Sequence, residues 1–360
     1  MLRLPYQPEQ FGRHLGPALT LGSEIRFSWS AVCRAALTVG RRNWPDVLAF
    51  GTYSVLECLW RLAMVRANLV EEASGRLRKS TAFVALDRSE KSAVSYFLGL
   101  VFTKLIAERL FGVSWLLHLD VYRQYLDPTL AFNERPDFVG TDTSGYWIVI
   151  ESKGRSGGAP NDLLTKAKRQ TRSLRRVAGE LPILRVAVAT YFSRNDLCAR
   201  IRDPEDFDEG APDVDIGPET FGRAYYRPLV ELLGNLQHER KKDPRNGRSY
   251  IHAQLPGLDA AVALDEEVLK WYRSPEATWQ QLLNELPASP SVLAELEHRL
   301  ALNDEERQRP GMFLDDFRHR SLGTERLWED LTIGHDGVFI ELGTSWTTEY
   351  MRREPSERLH

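Results

Sequence analysis

Residues 87–112 constrain this chain more than any other stretch, because they write out one long helix with both ends marked. Asp87 followed three residues later by Glu90 is a capping-box pattern. Val94, Phe97, Leu98, Val101, Phe102 and Leu105 then recur at helical spacing, and Gly112 supplies the stop. WLLHLDVY alternates, with Trp115, Leu117, Leu119 and Val121 on one side and Leu116, His118, Asp120 and Tyr122 on the other, which predicts a half-buried strand. RPDFVG and YWIVIESKG, joined through TDTSG with Gly145 at the close, predict a hairpin. WIVI is apolar without a break, so its strand is expected to be covered on both faces.

A Gly-rich loop, GRSGGAP, precedes a second helix expected over 161–177 and ended by Gly179 and Pro182. ILRVAVATYF then supplies a fourth strand. The expected order over 87–192 is helix, three-strand meander, helix, strand: an α/β core with a mixed sheet flanked by helices. Upstream, 30–69 reads as packing helices. Downstream the signal weakens, and IRDPEDFDEGAPDVDIGPE reads as an acidic, irregular insertion. Helices are expected in YYRPLVELLGNLQ, ATWQQLLNEL and SVLAELEHRLAL, a basic loop in ERKKDPRNGR, and a short hairpin in LTIGHDGVFIELG. The division is thus a helical region 1–80, an α/β core 81–195 and a mixed, mostly helical region 196–360.

With 360 residues, 42% hydrophobic and 27% charged, the chain reads as an ordinary globular protein, and its net charge of -3 argues against coating nucleic acid through bulk positive charge. Any contact with phosphate must be local. Cys33, Cys58 and Cys198 lie far apart with no CxxC or His pairing, so neither a disulfide framework nor a zinc site is suggested. The N-terminus lacks a signal-peptide apolar region, and the most apolar run, 93–102, is about half the length that spans a bilayer. A cytoplasmic protein without membrane attachment is expected.

Chemistry concentrates in three residues. Phosphodiester hydrolysis needs a hard divalent cation held by carboxylates, and a positive group for the charge that grows in the transition state. Asp137 starts one strand of the hairpin, while Glu151 and Lys153 sit two residues apart near the end of the other and so share a face. Asp137 and Glu151 are each about seven residues from the turn centre, which sets them side by side to share a metal. Lys153 is then within reach of a phosphate, and the Ser152 carbonyl offers a further oxygen ligand.

In this PD and E-x-K pairing, and in element order over about a third of its length, the chain resembles the PD-(D/E)XK phosphodiesterase superfamily of restriction endonucleases, resolvases and defence nucleases. The resemblance implies that Asp137 and Glu151 bind magnesium or manganese and that Lys153 supports the attacking water or the phosphate. It also implies a nucleic-acid partner, with DNA favoured, and a restriction or antiviral-defence type of endonuclease acting alone, as a homodimer or with an activating protein. Gln170, on the apolar side of the second helix, corresponds to a Gln that several branches carry near the metal; Leu174 replaces the Tyr found four residues later in some. Glu90 is a further metal-ligand candidate. Lys166, Lys168, Arg169, Arg172, Arg175 and Arg176 form a basic face, of which Lys166, Arg169, Arg172 and Arg176 are the expected phosphate contacts. His118 is expected to hydrogen-bond within the sheet face. The alternative is a catalytically idle copy of the fold serving as a binding module.

Overall fold

The computed structural model describes residues 1–11, 21–39, 52–119, 135–202, 208–243, 247–287 and 334–346. The chain opens with strands β1 (Leu2–Glu9) and β2 (Ser23–Phe27), helices α1 (Trp29–Thr38) and α2 (Thr52–Asn68), a small pair β3 (Leu69–Glu71) and β4 (Leu77–Lys79), and one-turn helix α3 (Thr81–Ala85). Helix α4 (Arg88–Phe111) leads into β5 (Trp115–His118), β6 (Phe138–Thr141) and β7 (Trp147–Gly154), followed by α5 (Leu163–Arg172), β8 (Leu184–Ser193) and β9 (Asp196–Arg202). Then come α6 (Pro218–Gly234), β10 (His238–Lys242), β11 (Ser249–Leu255), β12 (Ala260–Asp265), α7 (Glu266–Arg273), α8 (Trp279–Glu285) and β13 (Val338–Leu342).

Among the described residues one mixed sheet runs β2-β1-β9-β8-β7-β6-β5, with the β3 and β4 pair joined to β9, and a second, antiparallel sheet runs β10-β11-β12-β13. The meander β5, β6, β7 is antiparallel, and β7 pairs with β8 in parallel across the α5 crossover. Both ends of α4 form as the sequence dictates. Asp87 accepts from the N–H groups of Ser89 and Glu90 while Glu90 accepts from that of Asp87, and Gly112 closes the helix at a φ of 68°. The helix approaches β7 closely at Gly154, where an added Cβ would lie 1.8 Å from the Ser95 carbonyl oxygen. Helix α5 covers the opposite face, its Leu164 and Ala167 packing on Ala187 and Ala189 of β8. The WIVI segment is buried throughout, as its composition requires.

Several expectations need correction. All four residues of β5 are buried, so this strand is covered on both faces rather than one; Asp120 and its successors to 134 lie outside the described residues. The region 1–80 is not purely helical, because β1 and β2 extend the main sheet. Helix α5 ends at Arg172 rather than near Val177. Residues 172–178 instead bond the acidic segment through Asp208 N–H to Arg172 O, Arg175 N–H to Pro212 O, Val214 N–H to Arg176 O and Ala178 N–H to Val214 O. That tertiary pairing satisfies backbone groups that a longer helix would have used. The start of the basic loop is strand β10, whose five residues are exposed, and Arg245 lies outside the described residues. At the end of the chain β13 pairs with β12. The ATWQQLLNEL helix forms as α8, whereas SVLAELEHRLAL lies outside the described residues.

Candidate active site

The site lies where β6 runs out and β7 continues. The last ladder pair is Phe138 with Ile150, so extending the register by one sets Asp137 against Glu151, and by two sets Pro136 against Ser152. Leu119 N–H donates to the Asp137 carbonyl at 2.8 Å, which turns the Asp137 backbone toward β5 and leaves its side chain beside that of Glu151. The two residues clasp each other's strands: Asp137 N–H donates to Glu151 Oε2 at 2.9 Å, and Ser152 N–H donates to Asp137 Oδ2 at 2.9 Å. Proline has no N–H, so the ladder offers the Ser152 carbonyl nothing from position 136. Ser152 N–H faces Asp137, and the carbonyl of a strand residue leaves on the same edge as its N–H, so the Ser152 oxygen lies on the β6 side of β7.

Alternation along β7 sends Ser152 one way, to accept from Thr103 Oγ1 of α4 at 2.9 Å, and sends Glu151 and Lys153 the other way, toward α5. Lys153 Nζ donates to Glu151 Oε1 and, at 2.8 Å, to Gln170 Oε1. Gln170 Nε2 in turn donates to the Arg135 carbonyl at 3.2 Å. Gln170 thus ties α5 to the segment leading into Asp137 and fixes the direction of the ammonium. The buried stripe of α5 is Leu164, Ala167, Lys168 and Thr171, and Gln170 sits at its margin, half-buried.

Burial dominates the electrostatics. The Glu151 side chain is fully buried and that of Lys153 is 28% exposed. Burial first, and the neighbouring Asp137 charge second, push the Glu151 carboxyl well above its ordinary range, against the opposing pull of Lys153. Burial also raises Asp137, opposed by the Ser152 N–H and by Lys153. Two adjacent carboxylates, both raised by burial, and the Ser152 carbonyl are the hard-oxygen groups here that could hold a magnesium-class cation. Among the described residues no group of three or more His, Cys, Asp or Glu side chains gathers as a metal-holding set.

Glu90, a metal-ligand candidate from sequence, is exposed and occupied with the α4 cap. His118 does more than bond within the sheet. Its Nε2 stands 3.9 Å from Asp137 Oδ1 and 3.4 Å from Tyr96 Oη, with its ring edge-on to Phe138. Neither Tyr96 nor the Arg135 carbonyl was legible as a site group, because each is brought in by tertiary packing.

The basic face is less open than its sequence suggests. Lys168 is buried, Lys166 pairs with Asp162 at 2.6 Å, Arg172 with Asp208 at 2.9 Å and Arg175 with Asp213 at 2.7 Å. Arg169 is exposed, with no ion pair among the described residues, and Arg176, exposed beyond the end of α5, reaches the Gly179 carbonyl at 3.4 Å. No described helix is long and apolar enough to cross a membrane. Compared with protein-family models, with curated proteins and with solved structures, the chain matches none.

Proposed function

We propose that this chain is a metal-dependent nuclease, an endonuclease of the PD-(D/E)XK kind acting on DNA. The observation that carries the reading is the meeting of Asp137, Glu151, Lys153 and Gln170 at one strand end, with the carboxylates face to face and the ammonium held between Glu151 and Gln170. Asp137, Glu151 and the Ser152 carbonyl would hold magnesium or manganese. When bound there, such a cation supplies Lewis acidity toward phosphoryl oxygens. Lys153 places positive charge where the phosphate gains negative charge in the transition state, and Gln170 keeps it there. Burial of both carboxylates keeps the site's electrostatics strong by excluding bulk water.

The test is a cleavage assay on single-stranded and duplex DNA and on RNA, with and without magnesium or manganese, comparing wild type with Lys153→Ala. Metal-dependent cutting by the wild type alone is expected. Binding without cutting in every metal would instead favour the idle binding module, and neither binding nor cutting would end the nucleic-acid reading.

A further inference from the structure

Residues 208–214, the described part of the acidic segment, lie against the basic run at the end of α5. Four backbone hydrogen bonds stitch 208–214 to 172–178, and Val214 and Ile216 anchor the segment in the core. Asp213 takes both prongs of the Arg175 guanidinium, at 2.9 Å to Nε and 2.7 Å to Nη2, and Asp208 takes Arg172 at 2.9 Å. A carboxylate held in this two-pronged way occupies the fork that would otherwise receive two phosphate oxygens. The four side chains are between 35% and 56% exposed, so both ion pairs face solvent. Exposed pairs of this kind contribute little, and another anion can displace them. Arg172 is the last residue of α5 and Gln170, which holds the ammonium, sits in the same final turn, so the two share that end of the helix although their side chains leave it on different sides.

Resting on the nuclease reading, we propose that Arg172 and Arg175 receive successive phosphates of the substrate strand, and that Asp208 and Asp213 are built-in competitors for those two places. The carboxylates set a threshold. A lone phosphate or a weakly held strand does not displace both, whereas a polyanion anchored at the metal site does. Asp208 and Asp213 thereby lower affinity for nucleic acid that is not seated for cutting. Within the basic run, the competition is confined to Arg172 and Arg175, the two arginines that Asp208 and Asp213 pair.

The test uses the full chain carrying Lys153→Met, which prevents cutting, and fluorescein-labelled single-stranded and duplex DNA. Adding Asp208→Asn and Asp213→Asn should tighten binding about tenfold at low salt and steepen the dependence of affinity on salt by about one to two units, since two guanidiniums would now release counterions. The charge-matched control, Glu276→Gln in the exposed turn between α7 and α8 with Glu285→Gln at the exposed end of α8, should give only a small gain. In a background of Arg172→Ala with Arg175→Ala, the Asn pair should gain no more than that control. The inference is overturned if the Asn pair binds like the control, or if its gain survives loss of both arginines. If the Lys153→Met chain binds no nucleic acid under any condition, the nuclease reading itself fails, and that outcome is distinct.

Discussion

Lys153 stabilises two things, and substitutions separate them. In the metal-free chain its ammonium compensates the buried Glu151 carboxylate, and in the proposed reaction it meets the phosphate. An ammonium donates no lone pair to a cation, so Lys153→Met should keep most of the metal affinity measured by calorimetry while the cleavage rate falls on the order of a hundredfold or more. A mutant that cuts within about threefold of wild type would remove Lys153 from the chemistry. Glu151 allows a different measurement. A carboxyl that holds its proton more tightly folded than unfolded destabilises the fold as pH rises above its ordinary value of 4.5, up to its raised folded value. With chelator present, the melting temperature of the wild type should therefore fall over that window. Glu151→Gln keeps an acceptor for the Asp137 N–H and should flatten the profile. Magnesium or manganese should raise the wild-type melting temperature and leave Asp137→Ala unmoved, as expected when a ligand binds only the folded state.

At the scale of elements, the site depends on how closely α4 sits on β7. Gly154 is the point of nearest approach, and even a methyl group there would meet the Ser95 carbonyl oxygen. Gly154→Ala should cost about 3 kcal/mol in urea unfolding by overpacking, and should abolish cleavage by displacing Lys153, one residue away. A stable, active Gly154→Ala would show that the helix can move away without disturbing the strand. Elements with local signals were legible: the α4 capping box and Gly112, the Gly145 turn, and the unbroken WIVI run each form as written. β1 was not legible, because Pro5 and Pro8 argue against a strand interior. Structure resolves the conflict. Arg3 N–H points to Gly75 O, and Pro5 falls in the gap between that bond and the β9 pairing that begins at Tyr6, while Pro8 lies past the end of β2. The length of α5 was misread for a related reason, since the partner of 172–178 is 30 and more residues away. The candidate site was legible in Asp137, Glu151, Lys153 and Gln170 because hairpin register and helix periodicity are local. Tyr96 and the closeness of His118 to Asp137 were not, because they depend on where α4 and β5 end up.

At the scale of the whole molecule, the C-terminal sheet is tied to the main sheet through a buried polar network that no local pattern announces. Arg34 of α1 grips Glu108 of α4 at 2.9 and 2.7 Å and lies 3.5 Å from Asp336, in the turn before β13. Lys104 pairs with the same Glu108 at 3.0 Å. Tyr225 of α6 donates to the Asp336 carboxylate, and Tyr226 donates to the Asp336 carbonyl at 2.7 Å while accepting from Trp115 Nε1 at 2.8 Å. Residues separated by about 300 positions thus share one set of hydrogen bonds, and the apolar cluster around them runs from β1 to β13. Asp336 is completely buried, so replacing it with Ala leaves the Tyr225 hydroxyl only the Ser114 carbonyl at 3.5 Å and takes one carboxylate from Arg34, which keeps Glu108. Removing one member of a buried charged network costs about 3 to 5 kcal/mol. Because the network joins both sheets, Asp336→Ala should lower the stability of the whole molecule in one transition, with near-ultraviolet circular dichroism of the Trp115 and Trp279 pair and far-ultraviolet helix signal melting together. Two resolved transitions, with only the later elements destabilised and the candidate site around Asp137 and Glu151 still intact, would instead mean that the elements from α6 onward fold as a separate unit.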